Sequence, residues 1–265
     1  MRGLSLAPLR ALTQPGSPFV VVDPPHQGIP RSMTARPLEH TNRLAPLRDK
    51  PAGTLLIHEI YRSIQGESTF AGLPCVFVRL AVCNSRCVWC DTPHAFTQGE
   101  PFPLDEVVRR VQSFNCPLVE ITGGEPLLQD EVHPLMAEVA DRDMTVLLET
   151  SGALDIGRVD RRVHIIMDLK CPDSGECDGN RWENLALLKP TDQIKFVVGS
   201  NRDWKWACQV VRSRELDRRF TILLSPVFGA VQPVELADWL LSSGLNVRLQ
   251  LQLHKCIWDP KARGV

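Results

Sequence analysis

From Thr54 onward the chain repeats one pattern, and that pattern narrows the possible folds more than any other feature. Short apolar runs rich in β-branched residues occur at 55–60, 75–82, 118–122, 145–149, 163–169, 193–198, 220–225 and 247–253. Most are near-continuous rather than alternating, as expected for strands covered on both faces. Between them, 104–114, 132–141 and 234–241 read as amphipathic helices; in the first, Leu104, Val107, Val108 and Val111 share one face, with Asp105, Glu106, Arg109 and Arg110 elsewhere. Alternation of strand and helix predicts an α/β fold with a parallel sheet and helices on its outside. Six or seven units in the space available fit an open sheet or partial (β/α)6-type barrel better than the eight units of a closed one. A chain of 265 residues can bury such a core.

Residues 1–53 do not share the pattern. They hold nine of the 21 prolines and carry seven Lys/Arg against three Asp/Glu, a local charge of +4. Such proline density predicts a flexible extension without a core of its own, followed by one folded domain at 54–265. Met33 lies inside the extension and is a candidate start of translation, in which case the upstream residues would not be made. The stretch 7–13 is broken by Pro8 and Arg10, which argues against a secretory signal. The net charge of −1 provides no overall attraction for a polyanion, so direct nucleic-acid binding is not expected. No apolar run reaches the roughly 18–20 residues of a membrane span. A soluble, cytoplasmic protein is the expectation.

Nine cysteines in a chain this long point to metal or thiol chemistry in a reducing compartment. Cys83, Cys87 and Cys90 form Cys-x3-Cys-x2-Cys directly after the run 75–82. A closed structural zinc site takes four protein ligands, so three thiolates leave it one short unless a distant residue completes it. A [4Fe–4S] cluster held by three thiolates instead keeps one iron open to a small molecule. Cys75, Cys116, Cys208 and Cys256 read as buried or incidental thiols, and Cys171 with Cys177 is too small a set for a second cluster.

This spacing, with Trp89 between the second and third cysteines, resembles the signature of radical S-adenosylmethionine (SAM) enzymes. Further matches follow in order: Gly123-Gly124-Glu125-Pro126, then Glu149-Thr150-Ser151-Gly152, then Lys195 on the fifth core strand. The resemblance implies a [4Fe–4S] cluster on Cys83, Cys87 and Cys90, and SAM contacts from Trp89, Gly123, Gly124, Glu125, Glu149, Ser151 and Lys195. Taken singly, these pieces also read as ordinary turns or helix caps. The loops would sit at the carboxyl ends of parallel strands, where such folds build their sites.

From about residue 56 to the C-terminus, further segments resemble the 7-carboxy-7-deazaguanine synthase family. They are 61–68 (Tyr-Arg-Ser-Ile-Gln-Gly-Glu-Ser), Arg79, 90–96 (Cys-Asp-Thr-Pro-His-Ala-Phe), 168–172 (Asp-Leu-Lys-Cys-Pro), and Gln252-Leu253-His254-Lys255 with Ile257-Trp258. The resemblance implies contraction of a carboxylated tetrahydropterin by a deoxyadenosyl radical, with loss of ammonia, regeneration of SAM and a requirement for Mg2+. It places Gln65, Glu67, Arg79, Lys170 and His254 against the pterin, and gives Thr92 to Mg2+. Arg79 suits a carboxylate as a planar two-point donor, and a carboxylate such as Glu67 can accept from an aminopyrimidinone edge. No side chain is expected to act as the catalyst in its own right. The resemblance also implies a homodimer and a flavodoxin-type electron donor. The competing expectation is an activase that abstracts hydrogen from a partner protein's glycine, using the same cluster and SAM; a noncatalytic metal-binding module is a further alternative.

Overall fold

The computed structural model describes residues 43–265. The expectations for residues 1–42 lie outside the described residues. Residues 43–53, assigned with the extension from their composition, lie against the domain. Helix α1 (Ala45–Arg48) opens this stretch. Arg43 donates to the Asn84 carbonyl at 2.9 Å, Leu47 packs on Leu56, Ala81 and Val82, and Lys50 pairs with Glu131 at 2.7 Å.

Nine strands form one sheet: β1 (Thr54–Ile64), β2 (Pro74–Leu80), β3 (Glu100–Pro103), β4 (Leu118–Gly123), β5 (Thr145–Thr150), β6 (His164–Asp168), β7 (Gln193–Val198), β8 (Thr221–Pro226) and β9 (Arg248–Leu249). Their spatial order is β3-β1-β2-β4-β5-β6-β7-β8-β9. From β2 through β9 every pairing is parallel, as the apolar runs predicted. At the other end β1 pairs antiparallel with both β2 and β3, so the whole sheet is mixed. Strand β3 was not expected, because Glu-Pro-Phe-Pro carries no apolar run and half of its residues are prolines, which lack a backbone donor.

Helices α2 (Leu104–Ser113), α3 (Val132–Ala140), α4 (Asn201–Ser213) and α5 (Pro233–Ser243) cover the outer face, and a short α6 (Leu253–Ile257) ends the fold. Helix α4 was not singled out from the sequence, although Trp204, Ala207, Cys208 and Val211 are buried at helical spacing. The expected alternation lapses between β5 and β7: an irregular loop joins β5 to β6, and 3-10 turns join β6 to β7. The outer face of the sheet buries one large cluster, including Val78, Ile121, Leu148, Met167 and Phe196, against Val107, Val111, Leu135 and Val139 of the helices. A smaller cluster of Cys75, Phe77, Leu118, Leu147, Ile166 and Leu223 fills the inner face. That inner face also carries titratable side chains, which its apolar cluster adjoins.

Candidate active site

Strands β2, β4, β5, β6 and β7 each place one titratable side chain inward, at mid-strand or toward the carboxyl end: Arg79, Glu120, Glu149, Asp168 and Lys195, all lining one cleft of about 800 Å3. Period-two alternation explains this, since Val119 and Ile121, Leu148, Met167, and Ile194 and Phe196 on the same strands face the helices. The three cysteines of the spaced triplet and the 65–67 segment line the same cleft.

The cysteine loop leaves β2 through Val82, which is held at φ 77°. A β-branched residue seldom adopts that conformation, and here its own hydrogen bonds hold it there. Its amide donates to Ala95 at 2.7 Å and its carbonyl accepts from Glu125 at 2.9 Å. The loop is then anchored from outside: Arg86 Nη1 donates to the Cys83 and Ser85 carbonyls at 2.7 Å each, the Arg86 amide to Glu176 at 2.6 Å, and the Val88 amide to Ser174 at 3.0 Å. All three thiols are free. Burial pushes the Cys83 thiol up to about 11 and raises that of Cys87, with the Lys170 ammonium acting in the opposite direction on both. Among the described residues, the only three ligand side chains that bring their donor atoms within 4.8 Å of one another are His58, Glu59 and His94. Three cysteine thiols facing one cleft are a donor set one short of a closed zinc shell, and they fit a polynuclear cluster with one iron left open.

Beside this loop, Gly123 and Gly124 pack directly on its backbone. A Cβ at Gly123 would lie 2.3 Å from the Leu80 carbonyl oxygen, and one at Gly124 2.2 Å from that of Val82. Gly124→Ala is therefore expected to cost about 3 kcal/mol and to displace the cysteine loop. Chemical denaturation measures the first effect, and iron retained after anaerobic loading measures the second. Next in sequence, Glu125 has no exposed surface. Its carboxylate accepts from the Leu127 amide at 3.0 Å, the Thr150 hydroxyl at 2.9 Å, the Ser151 amide at 2.8 Å and the Ser151 hydroxyl at 2.5 Å. Glu125 thereby ties the turn after β4 to the turn after β5. Opposite, the Trp89 ring approaches Gly199, where a Cβ would meet Cζ3 at 2.9 Å.

Lys195 is the centre of the charged layer and is 5% exposed. Its ammonium donates to Glu67 at 2.7 Å and to Glu149. Burial opposes the Lys195 charge, but Glu149 and Glu67 outweigh it and raise the pKa well above the usual lysine value. Burial likewise opposes the Glu67 carboxylate, and Lys195 outweighs it, so Glu67 is held below the usual range. Glu67 also accepts from Gln252 at 2.7 Å and from Gln250 at 3.2 Å. Glu120 has no such cation in contact. Burial, then repulsion from Glu149, raises it well above the carboxylate range, and Gln65 Nε2 is its hydrogen-bond partner. Arg79 donates through Nε to Glu59 at 2.7 Å and through Nη2 to the Tyr61 hydroxyl at 3.0 Å. Lys170 pairs with Asp168 at 2.7 Å, while Asp168 Oδ1 is buried without a partner. Helix α6 closes the cleft from the far side. Leu253 donates to the Gly66 carbonyl at 3.1 Å, and Lys255 pairs with Asp91 at 2.9 Å. His254 lies so close to Gly66 that a Cβ there would meet Nδ1 at 2.5 Å, and burial lowers its pKa.

Residues 78–240 match the model of the radical SAM superfamily. A 7-carboxy-7-deazaguanine synthase from Chlorobaculum tepidum is 49% identical over 214 residues, covering 80% of this chain and 97% of the relative. The chain belongs to the 7-carboxy-7-deazaguanine synthase family. A synthase of the same name from Koribacter versatilis is 44% identical over 225 residues, covering 79% of this chain and 99% of the relative. The fold is also that of QueE from Escherichia coli, whose crystal structure superposes with a TM-score of 0.62 at 22% identity, over 82% of this chain and 99% of that one. No helix among the described residues is long and apolar enough to cross a membrane.

Within this family member, the expected residues Gln65, Glu67, Arg79, Cys83, Cys87, Trp89, Cys90, Thr92, Gly123, Gly124, Glu149, Ser151, Lys170, Lys195 and His254 all line one cleft. Glu125 does not line it; its carboxylate lies behind the wall as a brace. Lys195 does not stand with one ligand's residues alone, since it joins Glu67 of the expected pterin set to Glu149 of the expected SAM set. Lys170 lies on the cysteine side of the cleft, close enough for Cys87 and Asp168 to act on its charge. Glu120, Glu59 and Gln250 were not expected. For Glu120 a signal existed: a carboxylate inside the apolar run Leu118-Val119-Glu120-Ile121, two residues from Thr122, marks an inward polar face.

Proposed function

We propose that this chain is a ring-contracting lyase that converts 6-carboxy-5,6,7,8-tetrahydropterin to 7-carboxy-7-deazaguanine with release of ammonia, in the biosynthesis of deazapurines such as queuosine and preQ0. The observation that carries this reading is the shared cleft: Gln65, Glu67, Arg79 and Lys195 face the same space as Cys83, Cys87 and Cys90. Bound there, a [4Fe–4S] cluster with SAM supplies a 5′-deoxyadenosyl radical, and the protein's task is to position the substrate and exclude solvent.

The side chains suit that task. Arg79 spends Nε on Glu59 and one N–H on Tyr61, which leaves the remaining guanidinium donors to grip a carboxylate. Gln65 and Glu67 accept from pterin N–H groups, with Lys195 keeping Glu67 ionised and therefore an acceptor only. Lys170 and His254 contribute from opposite walls. The Gly123-Gly124 backbone, Trp89, Glu149 and Ser151 hold SAM, with Glu125 fixing the Ser151 hydroxyl. Thr92 Oγ1 has Cys90 Sγ, 3.8 Å away, as its neighbour. One hydroxyl is a sparse protein contribution to Mg2+, which accepts several waters and a substrate carboxylate as its other ligands. A homodimer, a flavodoxin-type electron donor and a cytoplasmic location belong to the same reading and rest on the family resemblance alone.

The test is anaerobic turnover of the cluster-loaded protein with SAM, Mg2+, a reductant and the carboxytetrahydropterin. Formation of 7-carboxy-7-deazaguanine and ammonia in equal amounts is expected, without net consumption of SAM. SAM cleavage with no pterin turnover would shift the assignment to a glycyl-radical activase, and tightly bound zinc with no response to SAM would remove radical chemistry altogether.

A further inference from the structure

We propose that His58, Glu59 and His94 form a binding site for a divalent transition-metal ion of the zinc class, separate from the cysteine loop. These three offer ligand atoms that all lie within 4.8 Å of one another, and each is half-buried, so the site is reachable from solvent.

The backbone explains how two sequence neighbours come to serve one ion. In a regular strand, His58 and Glu59 would point to opposite faces. Strand β1, however, is out of register between Ile57 and Glu59: Ile57 faces Leu80 and Glu59 faces Arg79, which leaves His58 as the extra residue of a bulge. A bulge of this kind re-aims side chains, and here it brings both toward His94. His94 arrives on the 3-10 turn Pro93–Phe96, which is fixed to the sheet by the Val82 to Ala95 hydrogen bond. The two imidazoles stand with ring centroids 4.8 Å apart, tilted by 43°.

His58 is also set up as metal-binding histidines usually are. Its Nδ1 lies 2.7 Å from the Gln98 carbonyl, which can only accept. Nδ1 therefore carries the proton and Nε2 keeps its lone pair. On Glu59, Arg79 uses Oε1, and Oε2 is the oxygen left for an ion. Two imidazoles and a carboxylate suit zinc, nickel or copper rather than Mg2+, and they match the three protein ligands of an open zinc site. Zinc bonds of about 2.0–2.1 Å bring tetrahedral ligand atoms to about 3.3 Å from one another, a contraction within the range of side-chain rotation for half-exposed groups.

The test uses the full-length, cluster-loaded protein under anaerobic conditions, so that the thiols are already engaged. Zinc chloride is added in the presence of excess Mg2+, free metal is removed, and bound zinc is counted. The wild type is expected to retain about one zinc per chain, and His58→Gln and His94→Gln each to retain it at least about tenfold less tightly, with melting curves showing the variants folded. Zinc K-edge absorption should report nitrogen and oxygen neighbours at about 2.0–2.1 Å. Sulfur neighbours at about 2.3 Å, equal retention by either folded variant, or no retention by the wild type would each overturn the proposal.

Discussion

Lys195→Met is expected to cost the fold roughly 3–5 kcal/mol at neutral pH, because it removes the one cation in contact with two enclosed carboxylates. Glu67 would keep its hydrogen bonds from Gln252 and Gln250, but neither supplies a charge. With Lys195 gone, burial, the largest influence on Glu67, is opposed only by hydrogen bonds, chiefly that from Gln252, and the pKa is expected to move upward instead of downward. The sign of the pH dependence follows. A carboxyl whose folded pKa exceeds its unfolded value of about 4.3 loses stability as the pH rises through that interval. The variant's deficit should therefore grow from pH 5 to pH 8, a range over which Glu67 of the wild type, held below its unfolded value, contributes no pH dependence of its own. Urea denaturation across that range measures it. Adding Glu149→Gln to Lys195→Met should restore part of the loss, since the two sites share one interaction. A deficit that does not change with pH and is not relieved by the second substitution would contradict the account.

Cys87→Ala is expected to lower bound iron from about four atoms per chain to a tenth of that or less, with loss of radical chemistry. The same substitution should leave the fold almost untouched. Cys87 is half-buried, its carbonyl accepts from the Cys90 amide at 3.2 Å through a backbone bond that alanine keeps, and the loop is otherwise held by Arg86 and Val88. Cys75→Ala is the contrast. Cys75 has no exposed surface, its thiol is pushed far up by burial and by Glu120, and it belongs to the inner apolar cluster. That variant should keep its iron and lose stability. Iron analysis and melting curves on the pair separate ligation from packing; equal loss of iron in both would undo the assignment.

The parallel core could be read from the sequence because strands buried on both faces must be apolar throughout, and eight such runs are present. The cysteine triplet and the Gly-Gly-Glu-Pro element could be read because their spacing is local. What could not be read depends on distant pairing. Strand β3 has no hydrophobic signature because it is a proline-containing edge. The antiparallel direction of β1 is invisible in a run that resembles the others. That Glu125 is enclosed rather than lining the cleft follows from the donors of Thr150 and Ser151, 25 and 26 residues later, that saturate its carboxylate. Gln250 is placed by Ser68, whose amide it accepts at 2.6 Å across 182 residues. The charged layer itself combines one residue from each of five strands, a set that no local window contains.

The brace made by Glu125 has a mechanical consequence. By saturating one enclosed carboxylate with donors from two successive turns, it makes the glycine-lined wall beside the cysteine loop a single stiff body. The facing wall is built differently: α6 is five residues long, and its Lys255 meets an Asp91 side chain that is 45% exposed. The cleft thus has a rigid jaw and a compliant one. Whatever binds the rigid side meets a surface already ordered, whereas whatever binds the compliant side must do some of that ordering itself.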